Sequence, residues 1–331
     1  MKKHKENVKK ITSIGGSALI EGIMMRGPKK TTVAVRTGKD EIYKEDVAYT
    51  TISSKGKFFR LPFIRGIVGL IDSMKLSYKS LAISADKAMG DAMEEEPESR
   101  FEKWLVDKFG EKMMTVLMWF AGIVGVLLAV LLFFFLPSFL FDLSSNAVPA
   151  FQGDGKDVVF YKSVFEGILK IVIFLGYILL VSGMEDMKRV FMYHGAEHKT
   201  IFCYESDEEL TVENVRKHTR FHPRCGTSFM VLMLVVGIIV GLFVPVAPFG
   251  IPVLRPVIKI LLLPISCGIG YELIKLCGKY DNLATRIIAA PGMWAQRITT
   301  KEPDDSMIEV AIAAIKEVIP EDGSDILTAG K

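Results

Sequence analysis

The stretch Met113–Leu136 contains no charged residue. A helix of roughly 20 mostly apolar residues crosses the hydrocarbon of a bilayer. Lipid leaves the backbone no partner but its own, so such a run has few other destinations. Three further apolar stretches follow. Val164–Met184 carries Glu166 and Lys170 near its start, four apart in the order that favours a helical ion pair at the interface. Gly226–Leu254 is uncharged; Ser228–Val246 is long enough to span, and Pro245, Pro248 and Pro252 then break it. Pro256–Leu276 has Lys259 and Glu272 near its ends and Pro264 inside, a kink that membrane helices tolerate. The expected fold is therefore a mainly α polytopic membrane protein with about four transmembrane helices. Bulk composition agrees: half of the residues are hydrophobic, and the mean hydropathy is +0.32.

Lysine and arginine set the orientation. The segment before the first span is rich in both, whereas Asp142–Ser163 has only Lys156 and Lys162. The loop Glu185–Arg224 carries Lys188, Arg189, Lys199, Arg216, Lys217, Arg220 and Arg224. Ala247–Arg255 has one arginine, and the tail carries Lys279, Arg286, Arg297 and Lys301. The alternation predicts a multi-pass chain with both termini in the cytoplasm. It divides into a cytoplasmic region 1–112, a membrane unit 113–276 with a His-rich cytoplasmic loop 185–224, and a cytoplasmic tail 277–331. The first apolar residues after the basic stretch Met1–Lys10 are interrupted by Gly15, Gly16 and Glu21, so they do not read as a cleaved signal.

The cytoplasmic region mixes strand and helix. Thr31–Arg36 and Glu41–Thr51 read as a β-hairpin. Phe63–Met89 reads as a helix whose charges, Arg65, Asp72, Lys75 and Lys79, place it on the membrane rather than through it. Glu94–Glu98 reads as a solvated linker, and Ser306–Ile319 as a C-terminal amphipathic helix. The Gly15–Pro28 stretch holds Glu21 and Arg26, which either pair inside a buried turn or line a ligand site. Gly237 and Gly241 permit a close helix contact, so a homo-oligomer is one possibility. Trp294 and Arg297 read as interface anchors. The expected partner is the lipid bilayer. A formal charge of +3, with no basic-aromatic surface, argues against nucleic acid. Cys203, Cys225, Cys267 and Cys277 form no C-x-x-C pair, and isolated thiols fit better than disulfides.

Met192–Glu205 reads MYHGAEHKTIFCYE. His194 and His198 are four apart and share a helical face, with Glu197 beside them. This H-x-x-E-H order inverts the zincin motif. Two such imidazoles can hold one divalent ion, Zn²⁺ for example, while the carboxylate serves as general base. A third donor is needed. His222 and Cys225 in HTRFHPRCGTSF are the leading choices, and Glu205, seven after His198, is the competitor. Four of the five histidines fall between 194 and 222. The bland alternatives are interfacial histidines and a capping turn shaped by Pro223 and Gly226.

GGSALIEGIMMRGP (Gly15–Pro28), YHGAEHKTI (Tyr193–Ile201), HPRCGTSF (His222–Phe229) and PGMWAQRITTKEP (Pro291–Pro303) together resemble the YqhQ-like family of bacterial membrane proteins. That family is a domain of unknown function, sometimes labelled a predicted metal-dependent enzyme. The resemblance implies a bacterial cell membrane and a metal, and no substrate. Two functions follow from these readings. One is a membrane-embedded metal-dependent hydrolase at the cytoplasmic face, with Glu197 catalytic. The other is a non-enzymatic oligomeric scaffold or regulator with structural histidines. A channel or transporter ranks third, because the spans show no charge near their midpoints.

Overall fold

The computed structural model describes residues 10–39, 41–89, 111–280 and 282–327 of the 331. The basic stretch before Lys10 and the acidic run Glu94–Glu98 lie outside them. In chain order the strands are β1 (Ile11–Thr12), β2 (Gly15–Leu19), β3 (Gly22–Arg26), β4 (Thr31–Arg36) and β5 (Ile42–Asp46). The helices follow: α1 (Ile64–Met89), α2 (Glu111–Val130), α3 (Leu136–Ser145), α4 (Lys156–Val181), α5 (Glu185–Glu205) and α6 (Val212–Lys217). Then come α7 (Gly226–Gly241), α8 (Leu254–Leu261), α9 (Leu263–Lys279), α10 (Leu283–Thr299), α11 (Asp305–Val318) and a last strand, β6 (Ile326–Leu327). They sort into two compact units.

The first unit draws on Met1–Asp91, Tyr177–Leu232 and Cys267–Lys331, and so takes in both the N-terminal and the C-terminal parts of the chain. Its centre is a four-stranded antiparallel meander, β2-β3-β4-β5. The expected hairpin is β4 and β5. The Gly-rich stretch is a second hairpin, β2 and β3, reversing at Ile20–Glu21, where Glu21 takes a φ of 50°. Successive residues face opposite ways along a strand. Ile23, Met25 and Ala34 join Tyr193 and Ala196 of α5 and Met307, Ile308, Ala311 and Ile315 of α11 in one cluster. Met24, Val33 and Val35 turn the other way and pack with Leu76 of α1. The sheet thus lies between α1 and the α5–α11 layer. The C-terminal amphipathic helix is a core element, capped by the Asp304 side chain accepting from the Met307 N–H at 3.0 Å. Met307, Ile308, Val310 and Ile315 are all 0% exposed, each worth roughly 1.5–3 kcal/mol of burial. The far side of α1 leaves Leu70, Ile71, Met74, Tyr78 and Leu81 exposed.

The second unit draws on Ala92–Gly176 and Met233–Ser266. Among the described residues, two helices are long and apolar enough to cross a membrane, Phe120–Ser145, running through a π-turn, and Lys156–Val181. The count is up to three if the pair Leu254–Leu261 and Leu263–Gly278, bent by 47°, forms one span. These apolar helices make the chain a membrane protein in contact with lipid. Four spans were expected. The third candidate stops as a helix at Gly241 after 16 residues, about 24 Å at 1.5 Å per residue, short of a ~30 Å core. The Glu166–Lys170 pairing also needs correction. Glu166 is buried and takes Lys259 Nζ at 2.5 Å and Arg255 Nε at 3.1 Å. Lys170 sits over the Phe134 ring at 4.6 Å. Glu166 and Lys170 flank the middle of Lys156–Val181, so charge does lie near a midpoint. Gly241 packs within the unit, against Lys259 and Ser163.

Candidate metal centre

Helix α5 carries the H-x-x-E-H motif, and its conformation explains the residue between the two histidines' turns. A Cβ at Gly195 would collide with the carbonyl oxygen of Lys301. Only glycine lets the segment after α10 run across α5, where the Lys301 N–H donates to the Phe191 carbonyl at 2.8 Å. Lys199 anchors the same segment through Glu302.

That crossing orients the first imidazole. His194 Nδ1 lies 2.8 Å from the Thr299 carbonyl, and His198 Nδ1 lies 2.5 Å from the Arg220 carbonyl. A carbonyl only accepts, so each Nδ1 carries its proton and each Nε2 is left as the ligand atom. His194 Nε2 meets Cys225 Sγ at 3.1 Å, and the ring centroids of His194 and His198 are 4.5 Å apart. One donor atom from each of His194, His198 and Cys225 lies within 4.8 Å of the others. Cys225 precedes the first residue of α7, and its sulfur accepts from the Thr227 N–H at 3.4 Å. Burial pushes this thiol up, but the two imidazoles override that and hold it well below the usual thiol range. Burial likewise opposes charge on His194, and Cys225 outweighs it, raising the imidazole to about 9. Without a metal, sulfur and imidazole share a proton. A cation at the same point would replace it, so this donor set suits a divalent ion of the zinc class.

His222, the other choice for third donor, lies outside the trio. Its Nδ1 accepts from the Arg224 N–H at 3.3 Å, and its Nε2 is 3.9 Å from Glu205 Oε2. Its ring stays close to His198, with centroids 5.4 Å apart. Burial lowers His222 to about 4, so it is neutral. Glu205, the competitor, is spent on Arg224 and on the Thr12 N–H at 2.8 Å. Gln296 braces the turn from α10, accepting from the His222 N–H and donating to its carbonyl. Gln296 and Thr299 fall within the Pro291–Pro303 motif without being singled out there, and Thr299 and Arg220 act through backbone atoms.

Glu197 is 5% exposed. Two of its candidate cation partners, Arg189 and Lys199, are engaged elsewhere. Arg189 forms a two-armed pair with Glu21 at 2.5 and 2.6 Å, and Lys199 pairs with Glu302. Of the two readings of Gly15–Pro28, the one that paired Glu21 with Arg26 is corrected: Glu21 takes Arg189 and the Tyr193 hydroxyl, because its turn overhangs α5. Glu197 instead accepts the Gly16 N–H, and burial raises its carboxyl against the pull of His198 and His194. Glu197, His194, His198 and Cys225 line one cavity of about 560 Å³. The opposite wall is the small-residue run of β2, Gly15 to Ala18.

A membrane protein with a helix-borne His–Glu–His group closed by a cysteine is the class these features define. The chain belongs to the family described as "Protein of unknown function (DUF1385)", whose profile matches residues 61–321. It is 33% identical over 308 residues to the "Uncharacterized protein YqhQ" of Bacillus subtilis (strain 168), covering 92% of each chain. The resemblance carried by the four motifs therefore holds. No solved structure matches the chain.

Proposed function

We propose that this protein is a membrane-embedded metal-dependent hydrolase acting at the cytoplasmic face. His194, His198 and Cys225 hold a divalent ion, and Glu197 is the general base. The observation that carries this reading is the convergence of two imidazoles and one cysteine sulfur beside a cavity that Glu197 also lines. A bound ion would polarise the scissile group and ease deprotonation of water. Thr299 and Arg220 hold the two imidazoles in the ligating tautomer. Burial raises the Glu197 carboxyl above the usual carboxylate range, which makes it a stronger base toward the proton of a water. The β2 wall, with no bulky side chain from Gly15 to Ala18, leaves room for substrate. The cytoplasmic placement rests on the lysine and arginine alternation, and the outward apolar face of α1 suits the bilayer surface.

A second reading is a cysteine nucleophile, favoured by the 3.1 Å contact of Cys225 with His194. The two separate by alkylation. A nucleophile reacts with iodoacetamide in zinc-loaded protein, whereas a ligand is shielded by zinc and reacts only after chelation. The scaffold reading predicts neither metal nor turnover. Elemental analysis of detergent-purified protein should find metal at this site in the wild type that His194→Ala/His198→Ala lacks. Glu197→Gln should keep that metal and the fold, while lowering turnover across a panel of peptides, esters and phosphoesters by about 10²–10⁴. Unfolding by Glu197→Gln would instead make the carboxylate structural.

A further inference from the structure

Helix α5 has a second set of donors on another face. Cys203 follows His198 by five positions, about 140° around the helix, and is 0% exposed. The helix then ends in a tight reversal. The Asp207 N–H donates to the Tyr204 carbonyl and the Glu208 N–H to the Cys203 carbonyl, with Asp207 at a φ of 61°. This turn folds Glu208 back over Cys203. The third member comes from α6, whose last residue is followed by His218, held by its N–H to the Val215 carbonyl at 3.1 Å.

One donor atom from each of Cys203, Glu208 and His218 lies within 4.8 Å of the others. His218 Nε2 is 3.4 Å from Glu208 Oε2. Two ligands about 2.0–2.1 Å from a tetrahedral zinc stand about 3.4 Å apart, so this is the spacing a shared ion sets. That imidazole nitrogen is buried and makes no hydrogen bond, although a buried polar atom ordinarily finds a partner. A thiol, an imidazole and a carboxylate form a donor set of the zinc class. Glu208, with its side chain 39% exposed, gives the ion a path from solvent.

We propose that Cys203, Glu208 and His218 form a second divalent-cation site, of the zinc class, whose ion ties the end of α5 to the end of α6. Its role is positional. His218 stands two residues before Arg220, whose carbonyl fixes the His198 tautomer. An ion on His218 holds that segment in place and so steadies the neighbouring metal centre. The second site stands on its own donors and does not require that the first be catalytic.

The test is zinc titration of chelator-stripped, full-length protein in detergent, repeated with cobalt to read the thiolate charge-transfer band. The wild type should take up two equivalents. Cys203→Ala and His218→Gln should each leave one, and so should Cys225→Ala, while Cys203→Ala/Cys225→Ala leaves none. One wild-type equivalent, lost in Cys225→Ala and retained in Cys203→Ala, overturns the second site and keeps the first. One equivalent with the reverse dependence supports the second site and removes the first. Should Cys203→Ala fail to fold, the partly exposed Glu208→Gln decides. It should weaken one equivalent by about tenfold or more, and unchanged affinity for both overturns the proposal.

Discussion

Two of the places where the described residues bury charge are built differently. In the second unit Arg255 is 0% exposed, and its guanidinium is fully spoken for. It donates to Glu166, to Ser163 Oγ and to the carbonyls of Gly241, Val244 and Pro245. Those carbonyls stand at and just beyond the end of α7, where a helix has unpaired acceptors. Arg255 thus closes a helix end within that unit, and Glu166 balances both it and Lys259. In the first unit, three donors converge beside a cavity that Glu197 also lines, with the two imidazoles as its charged neighbours. A network whose members satisfy one another holds structure. A network that converges on a point with ligating capacity left over can hold something else.

Removing Glu166 tests that contrast most severely. Glu166→Ala leaves Arg255 and Lys259 buried without their counter-charge, and breaking such a group costs about 3–5 kcal/mol. Loss of the folded protein from detergent, followed by thermal unfolding, is the expected outcome. An unchanged melting temperature would mean that the cluster is not structural.

The next effect is one of pH. His222 is buried and neutral, lowered from 6.5 to about 4, chiefly by burial, with Glu205 opposing. Its folded value lies below its unfolded one, so only the unfolded chain gains the proton between these limits. Stability is fully present above pH 6.5 and is lost as pH falls toward 4, by roughly 3 kcal/mol at 1.36 kcal/mol per unit. Denaturation of metal-free protein across that window should show the slope, and His222→Asn should flatten it.

The smallest stability effect belongs to the proposed metal centre. His194→Gln can still donate to the Thr299 carbonyl, so the metal-free protein should lose about 1 kcal/mol or less. Its melting temperature should rise less on adding zinc than that of the wild type, which gains stability as binding is linked to folding. A zinc-induced rise that survives Cys225→Ala/His194→Gln at full size would place the ion elsewhere.

How far the sequence reached follows the same division. His194, Glu197 and His198 were legible because helical spacing puts them on one face. The choice between His222 and Cys225 was not, since a turn at Pro223 decides which side chain swings inward. Thr299 and Arg220 contribute carbonyls, and a backbone group leaves no mark on residue type. The membrane ion cluster was misread as a local pair, because Lys170 is four residues from Glu166 while Arg255 and Lys259 are 89 and 93 away. The β2–β3 hairpin was hidden by Gly15, Gly16, Ser17 and Ala18, which carry little strand propensity. The apolar runs were plain, but hydropathy did not reveal where α7 stops being helix.

The strap across α5 has a consequence for biosynthesis. The carbonyl that orients His194 comes from Thr299, 105 residues later in the chain. A ribosome releases the two histidines long before it releases their partner. During that interval helices α6 to α9 and most of α10 are still being made. The centre can be completed only after Thr299 and the residues behind it emerge, so a nascent or truncated chain carries the ligand motif without the finished site.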